Sequence, residues 1–113
     1  MRCRRCSPLP DEVAHAADLV GRRWVLQIIY AASHSGASRF NEFTQVIVGI
    51  PPRTLAQRLV ELEEVGVLDR TVIDARPPRV EYRLTANGAR LIGVVDALQI
   101  WSTDQAPARP GRA

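Results

Sequence analysis

The chain contains no lysine; all fifteen of its basic residues are arginine. Two sources fit that absence. One is biased codon composition, which also explains arginine at Arg109 and Arg112. The other is selection for bidentate contacts to phosphate or guanine. Cysteine is nearly absent as well. Its two copies lie together in Cys3–Arg4–Arg5–Cys6, too few for a disulfide framework. No apolar run approaches the roughly 20 residues of a membrane span. Met1–Arg5 is basic, but no apolar segment of the kind found in export signals follows it. These absences predict a cytoplasmic protein that does not engage a membrane. No nucleophile stands near a base in any familiar pattern, and no glycine-rich phosphate loop occurs. His15 and His34 stand alone and read as surface or packing histidines. The sequence therefore predicts no enzyme, no metal and no cofactor.

What is present fits one small domain. The 113 residues are 46% hydrophobic, enough for a globular core, and the net charge is +3. That charge is compatible with a polyanionic partner without requiring one. Residues 1–10 read as a flexible basic arm, 11–104 as the folded domain and 105–113 as a disordered Pro/Arg/Gly tail.

The pattern within the domain is mainly helical. A first helix starts near Asp11, with Val13, Ala16, Ala17 and Val20 as its buried side and a stop at Gly21. A second covers about Arg22 to Ala32 and is apolar around most of its girth, as a central bundle helix is. Ser38 is placed to cap a third, about Arg39 to Ile47, with Phe40 and Phe43 inward. The fourth runs from Pro52, tolerated in a first turn, to Val65 before the stop at Gly66. Val67–Ile73 reads as a strand. Val80, Tyr82 and Leu84 alternate with charged residues as a half-buried second strand. Thr85 caps a last helix to about Thr103. There Leu91, Val94, Val95, Leu98 and Trp101 recur at helical spacing, with Ile92 and Ile100 as a surplus flank that suggests a second chain.

The stretch from Ile50 to Thr85 carries the functional signal. Leu55, Leu59 and Leu62 share one face of the fourth helix; Thr54, Gln57, Arg58 and Glu61 share the other. Arg53 and Arg58 lie toward its N-terminal half, and Glu61, Glu63 and Glu64 toward its C-terminal half. That order opposes the helix dipole, so stability alone does not favour it. It suits a helix whose N-terminal end enters the major groove of double-stranded DNA, where arginine matches guanine and glutamine matches adenine. Arg53, Thr54, Gln57 and Arg58 are the expected base-reading residues. Arg76 and Arg79 flank a stiff Pro77–Pro78 pair at the hairpin tip. With Arg39 they are the expected backbone contacts. The fold expected is mainly α with a small β-hairpin wing, a winged helix-turn-helix. A winged-helix module for protein interaction, or for redox or ligand sensing without direct DNA binding, is the alternative.

The motifs Gly21-Arg-Arg-Trp24, Arg39-Phe-Asn-Glu-Phe43, Gly49-Ile50, the run from Arg53 to Glu64, Gly66-Val-Leu-Asp-Arg70, Pro77-Pro-Arg-Val-Glu-Tyr-Arg-Leu-Thr85 and Gly88 resemble the HxlR-type transcriptional regulators. These are bacterial winged helix-turn-helix proteins distantly related to the MarR type. The resemblance runs in unbroken order from about Asp11 to Trp101. It implies a homodimer held by the first and last helices, with Val13, Ala17, Leu91, Val94, Val95, Leu98 and Trp101 at the interface. It also implies control of nearby genes, with repression the expectation, in response to a small-molecule effector or an electrophile.

Two positions depart from the family pattern. Several redox-sensing members carry a cysteine thirteen residues before the family tryptophan; counting back from Trp24, Asp11 stands there. Pro51 replaces a serine that caps the reading helix in many members. Cys3 and Cys6 lie upstream of the matched region. Arg2, Arg4 and Arg5 would favour their thiolates and so a redox role. Half of a zinc site lacks a second ligand pair, and two incidental cysteines on a loose arm is the plainer reading.

Overall fold

The structure, a computed structural model, describes residues 6–104. The remainder of the expected arm, including Cys3, and the tail from residue 105 lie outside the described residues. The elements run α1 (Asp11–Val20), α2 (Val25–Ser33), α3 (Phe40–Val46), α4 (Pro52–Glu64), β1 (Leu68–Ile73), β2 (Arg79–Leu84), α5 (Ala86–Ala89) and α6 (Ile92–Asp104). The mainly helical chain with one antiparallel hairpin is the winged helix-turn-helix arrangement anticipated from the pattern.

Phe43, Ile28, Ile29, Leu55, Leu59, Leu62, Leu68 and Val25 are the largest fully buried side chains. They come from α2, α3, α4 and the start of β1, so the core lies inside the three-helix centre and under the root of the hairpin. Helix α2 contributes Val25, Ile28, Ile29 and Ala31, as its apolar girth foretold. Helix α4 contributes only its leucine stripe, leaving its other face outward.

Local chemistry explains the boundaries. Helix α4 starts with Pro52 in its first turn and stops at Gly66, whose φ of 81° lies in the left-handed region. There Gly66 N–H donates to the Glu63 carbonyl and Val67 N–H to the Leu62 carbonyl, a Schellman closure that turns the chain directly into β1. The hairpin pairs Leu68 with Leu84 through to Ile73 with Arg79. Its root is tied to the helices: Tyr82 N–H donates to the Ser38 carbonyl at 2.7 Å. Just past Leu84, at the same root, Gly88 N–H donates to the Thr85 hydroxyl at 2.9 Å, so Thr85 caps the helix that follows. A Cβ at Gly88 would stand 2.1 Å from the Val67 carbonyl oxygen; only glycine lets α5 pass this close to the strand entrance.

Four expectations need correction. Helix α2 begins at Val25 rather than Arg22, because Trp24 takes a left-handed backbone (φ 79°) that breaks the helix before it. The last helix is two, α5 and α6, separated at Arg90–Leu91. Helix α3 is capped by Glu42 rather than Ser38. The Glu42 carboxylate accepts from the Ser38 and Arg39 backbone N–H groups at 2.9 and 3.0 Å, and from the Ser38 hydroxyl at 3.3 Å. Those donors hold the Glu42 carboxyl below the ordinary carboxylate range, the Ser38 N–H contributing most. Finally, Val13, Ala16 and Ala17 are exposed in the single chain; no residue of α1 is buried. Only its C-terminal end, through Leu19, rests against the core, so most of its apolar side draws no stability from its own domain.

Candidate nucleic-acid interface

The outward face of α4 is built from its N-terminal end. Pro51 occupies the N-cap position, and no side chain caps the helix. Arg53 is exposed and, among the described residues, makes no hydrogen bond or ion pair. Thr54 is half-buried beside it. One turn on, the remaining expected readers are held. Gln57 Nε2 donates to Glu61 Oε2 at 3.1 Å. Arg58 donates from Nε to the Arg23 carbonyl at 3.0 Å and from Nη1 to both Glu61 oxygens at 3.2 and 3.3 Å. Its side chain is only 18% exposed. Arg22 Nη1 also reaches Glu61, at 3.2 Å, and its Nη2 reaches Asp18 at 3.3 Å. These partners, Glu61 foremost, raise the Arg22 pKa. One carboxylate thus gathers Arg22 from the α1–α2 turn and two residues of α4.

The wing supplies further open cations. Arg76 and Arg79 are exposed around the turn between β1 and β2, and neither forms an ion pair among the described residues. Arg39 is half exposed at the start of α3 and lies 3.7 Å from Glu42. Sequence reasoning missed Arg70 on β1, which is also exposed and unpaired among the described residues and stands opposite Tyr82. Its cue was present: a charged residue between Leu68 and Val72 in a strand with one outward edge.

The terminal helices divide differently from the expectation. Val95 is 7% exposed in the single chain and joins the central core, where Leu91 packs against it. This corrects Val95 as an interface residue: its side chain is already spent on its own domain. Val94, Leu98 and Trp101 remain open; Leu98 is 44% and Trp101 63% exposed. Val13 and Ala17 are exposed on α1. A cleft of about 570 Å³ lies beside Trp24, Gln27, Tyr30, Ser35 and Val46–Val48. Trp24 lines it, whereas Trp101 does not. Cys6 is exposed ahead of α1. No cluster of metal-ligating side chains occurs among the described residues.

A family model described as HxlR-like helix-turn-helix matches residues 19–110. The chain belongs to that family. As an HxlR-like protein it is a DNA-binding transcriptional regulator and not an enzyme. It is 36% identical over 89 residues to the HTH-type transcriptional regulator YvaP of Bacillus subtilis, covering 79% of this chain and 82% of the relative. It is 39% identical over 101 residues to an HTH-type regulator of Mycobacterium bovis, covering 89% of this chain but 63% of that protein's length. Among solved structures, the redox regulator HypR in its reduced form superposes with a TM-score of 0.75 at 34% identity, covering 82% of this chain and 91% of that one.

Within the HxlR-like frame, two features escaped sequence reasoning. The inward pairing of Arg58 was half visible, since Glu61 stands three residues on, a spacing that pairs side chains along a helix. Arg22, 39 positions away, became a partner only through the fold. No helix among the described residues is long and apolar enough to cross a membrane.

Proposed function

We propose that this HxlR-like protein acts in the cytoplasm as a homodimer, repressing nearby genes by binding a pseudo-palindromic operator. In this reading α4 enters the major groove with Arg53, Thr54, Gln57 and Arg58 toward base edges. Arg76 and Arg79 of the wing, with Arg39, take backbone phosphates. The observation that carries it is the set of open guanidinium groups: Arg53 at the uncapped end of α4 and Arg76 and Arg79 on the wing are exposed and unpaired among the described residues. An unpaired arginine has no ion pair to give up before meeting a polyanion, and the groups lie on the two elements a winged helix-turn-helix applies to a duplex.

Dimerisation rests on the apolar residues left open on α1 and α6: Val13, Ala17, Val94, Leu98 and Trp101. A two-fold axis would set half-sites about one helical turn, roughly 34 Å, apart. A thiol switch is not part of the proposal, because Asp11 stands at the cysteine position of the redox-sensing members. Selection of bound fragments from random DNA tests the reading. The expected outcome is an enriched inverted repeat whose two halves lie one turn apart. Recovery of unrelated fragments with no shared motif contradicts it.

A further inference from the structure

The Glu61 cluster lies at the junction of three elements and is more than a surface ion pair. Glu61 is 22% and Arg58 18% exposed at the side chain, so both are largely withdrawn from water. The carboxylate accepts from three side chains: Arg22 and Arg58 at Oε1, Gln57 and Arg58 at Oε2. Arg58 is gripped a second time by the Arg23 carbonyl. Arg22 is in turn steadied by Asp18 at the end of α1. Charges in the cluster balance: two guanidinium groups face two carboxylates. Two expected base-reading residues are therefore held by one acid whose charge opposes that of the phosphates.

We propose that Glu61 determines sequence specificity by withholding Arg58, and with it Gln57, from any duplex that does not offer a matching acceptor pair. The inference rests on the reading of α4 given above. To reach DNA, Arg58 must give up hydrogen bonds to the carboxylate and to the Arg23 carbonyl. A guanine edge returns two of the three in a fixed bidentate geometry; a mismatched base offers no such acceptor pair, and a phosphate contact carries no base identity. Arg22 keeps Glu61 from following Arg58 outward, so the exchange is a genuine competition. The carboxylate also repels nearby phosphates, a penalty spread over all sequences and offset only where the match is good. Glu61 is thus a positioning residue, acting through Arg58 and Gln57.

The test compares the full-length protein with E61Q, R58Q and the double variant. Each is titrated against the best duplex from random selection and a random-sequence duplex of equal length, over a range of salt. Glu61→Gln keeps the shape and one acceptor but loses the charge. It is expected to bind the random duplex roughly threefold to tenfold more tightly, with a salt slope steeper by about one. The preference for the selected duplex then drops by about the same factor, and adding R58Q abolishes the gain. Alone, R58Q is expected to weaken the selected duplex about tenfold and the random duplex by no more than about threefold, so that the preference falls. The proposal is overturned if E61Q keeps the native preference within about twofold. It is equally overturned if the E61Q gain survives without Arg58, or if both duplexes weaken together with a lowered melting temperature. Should E61Q not fold, R58Q alone decides: loss of a unit of slope on random DNA means Arg58 already touches phosphate, against the proposal. Native protein without salt-dependent binding to either duplex refutes the underlying reading instead, and is measured first.

Discussion

The centre of the molecule and its two ends are made to different rules. In the centre, α2, α3, α4 and the hairpin root bury Ile28, Phe43, Leu55, Leu59 and Leu62 almost completely, and their backbone turns are closed by hydrogen bonds. At the ends, α1 fully buries no residue and rests only Leu19 against the core, while α6 buries Val95 and leaves Leu98, Ile100 and Trp101 open. The centre is a finished fold. The ends carry apolar surface that water disfavours, and a second copy is the partner we propose for it.

The largest effect should come from cutting into the centre. Leu59→Ala removes a fully buried side chain and is expected to cost about 3 kcal/mol, read by urea denaturation against the native protein at the same concentration. The ends should answer differently. Leu98→Asp is expected to weaken self-association at least tenfold in sedimentation equilibrium while the helical signal of the centre persists. Equal loss of fold in both variants would erase the distinction between the regions. A smaller effect is expected on the wing: Arg79→Ala should weaken all duplexes several-fold and lower the salt slope by about one, with no change in preferred sequence. A selective loss on one operator would assign Arg79 to base reading.

The smallest effect concerns Glu42, whose carboxyl is lowered by the Ser38 and Arg39 N–H groups. A group lowered on folding adds stability above its unfolded value, near 4.3, and loses that contribution as pH falls through the folded value. Glu42→Gln is therefore expected to be slightly less stable than the native chain at neutral pH, with the two melting curves converging below about pH 4. Parallel curves down to low pH would remove Glu42 as the cap of α3.

Much of the centre was legible because its signals are local. Gly66 as a stop, Pro52 in a first turn, Thr85 as a cap and the alternation of Val80, Tyr82 and Leu84 each follow from backbone rules acting within a few residues. What escaped the sequence depends on distant neighbours. Trp24 breaks into the left-handed region because tertiary packing outweighs its own preference. The last helix splits at Arg90–Leu91, just past the point where Gly88 passes close under the Val67 carbonyl, a contact between residues 21 apart in sequence. Val94 and Val95 are equivalent as letters; only the position of the core sends one inward. The candidate site followed the same division. Arg53, Arg76 and Arg79 were found as charges on exposed elements, whereas the enclosure of Arg58 needed Arg22 and the Arg23 carbonyl brought up from the α1–α2 turn.

The most direct test of the account is a hydroxyl-radical footprint of the native protein on its best selected duplex. Two equivalent protected tracts, about one helical turn apart and both lost in Leu98→Asp, are predicted. A single unpaired tract, or protection that Leu98→Asp leaves intact, would contradict the claim that two copies of α4 read the operator together.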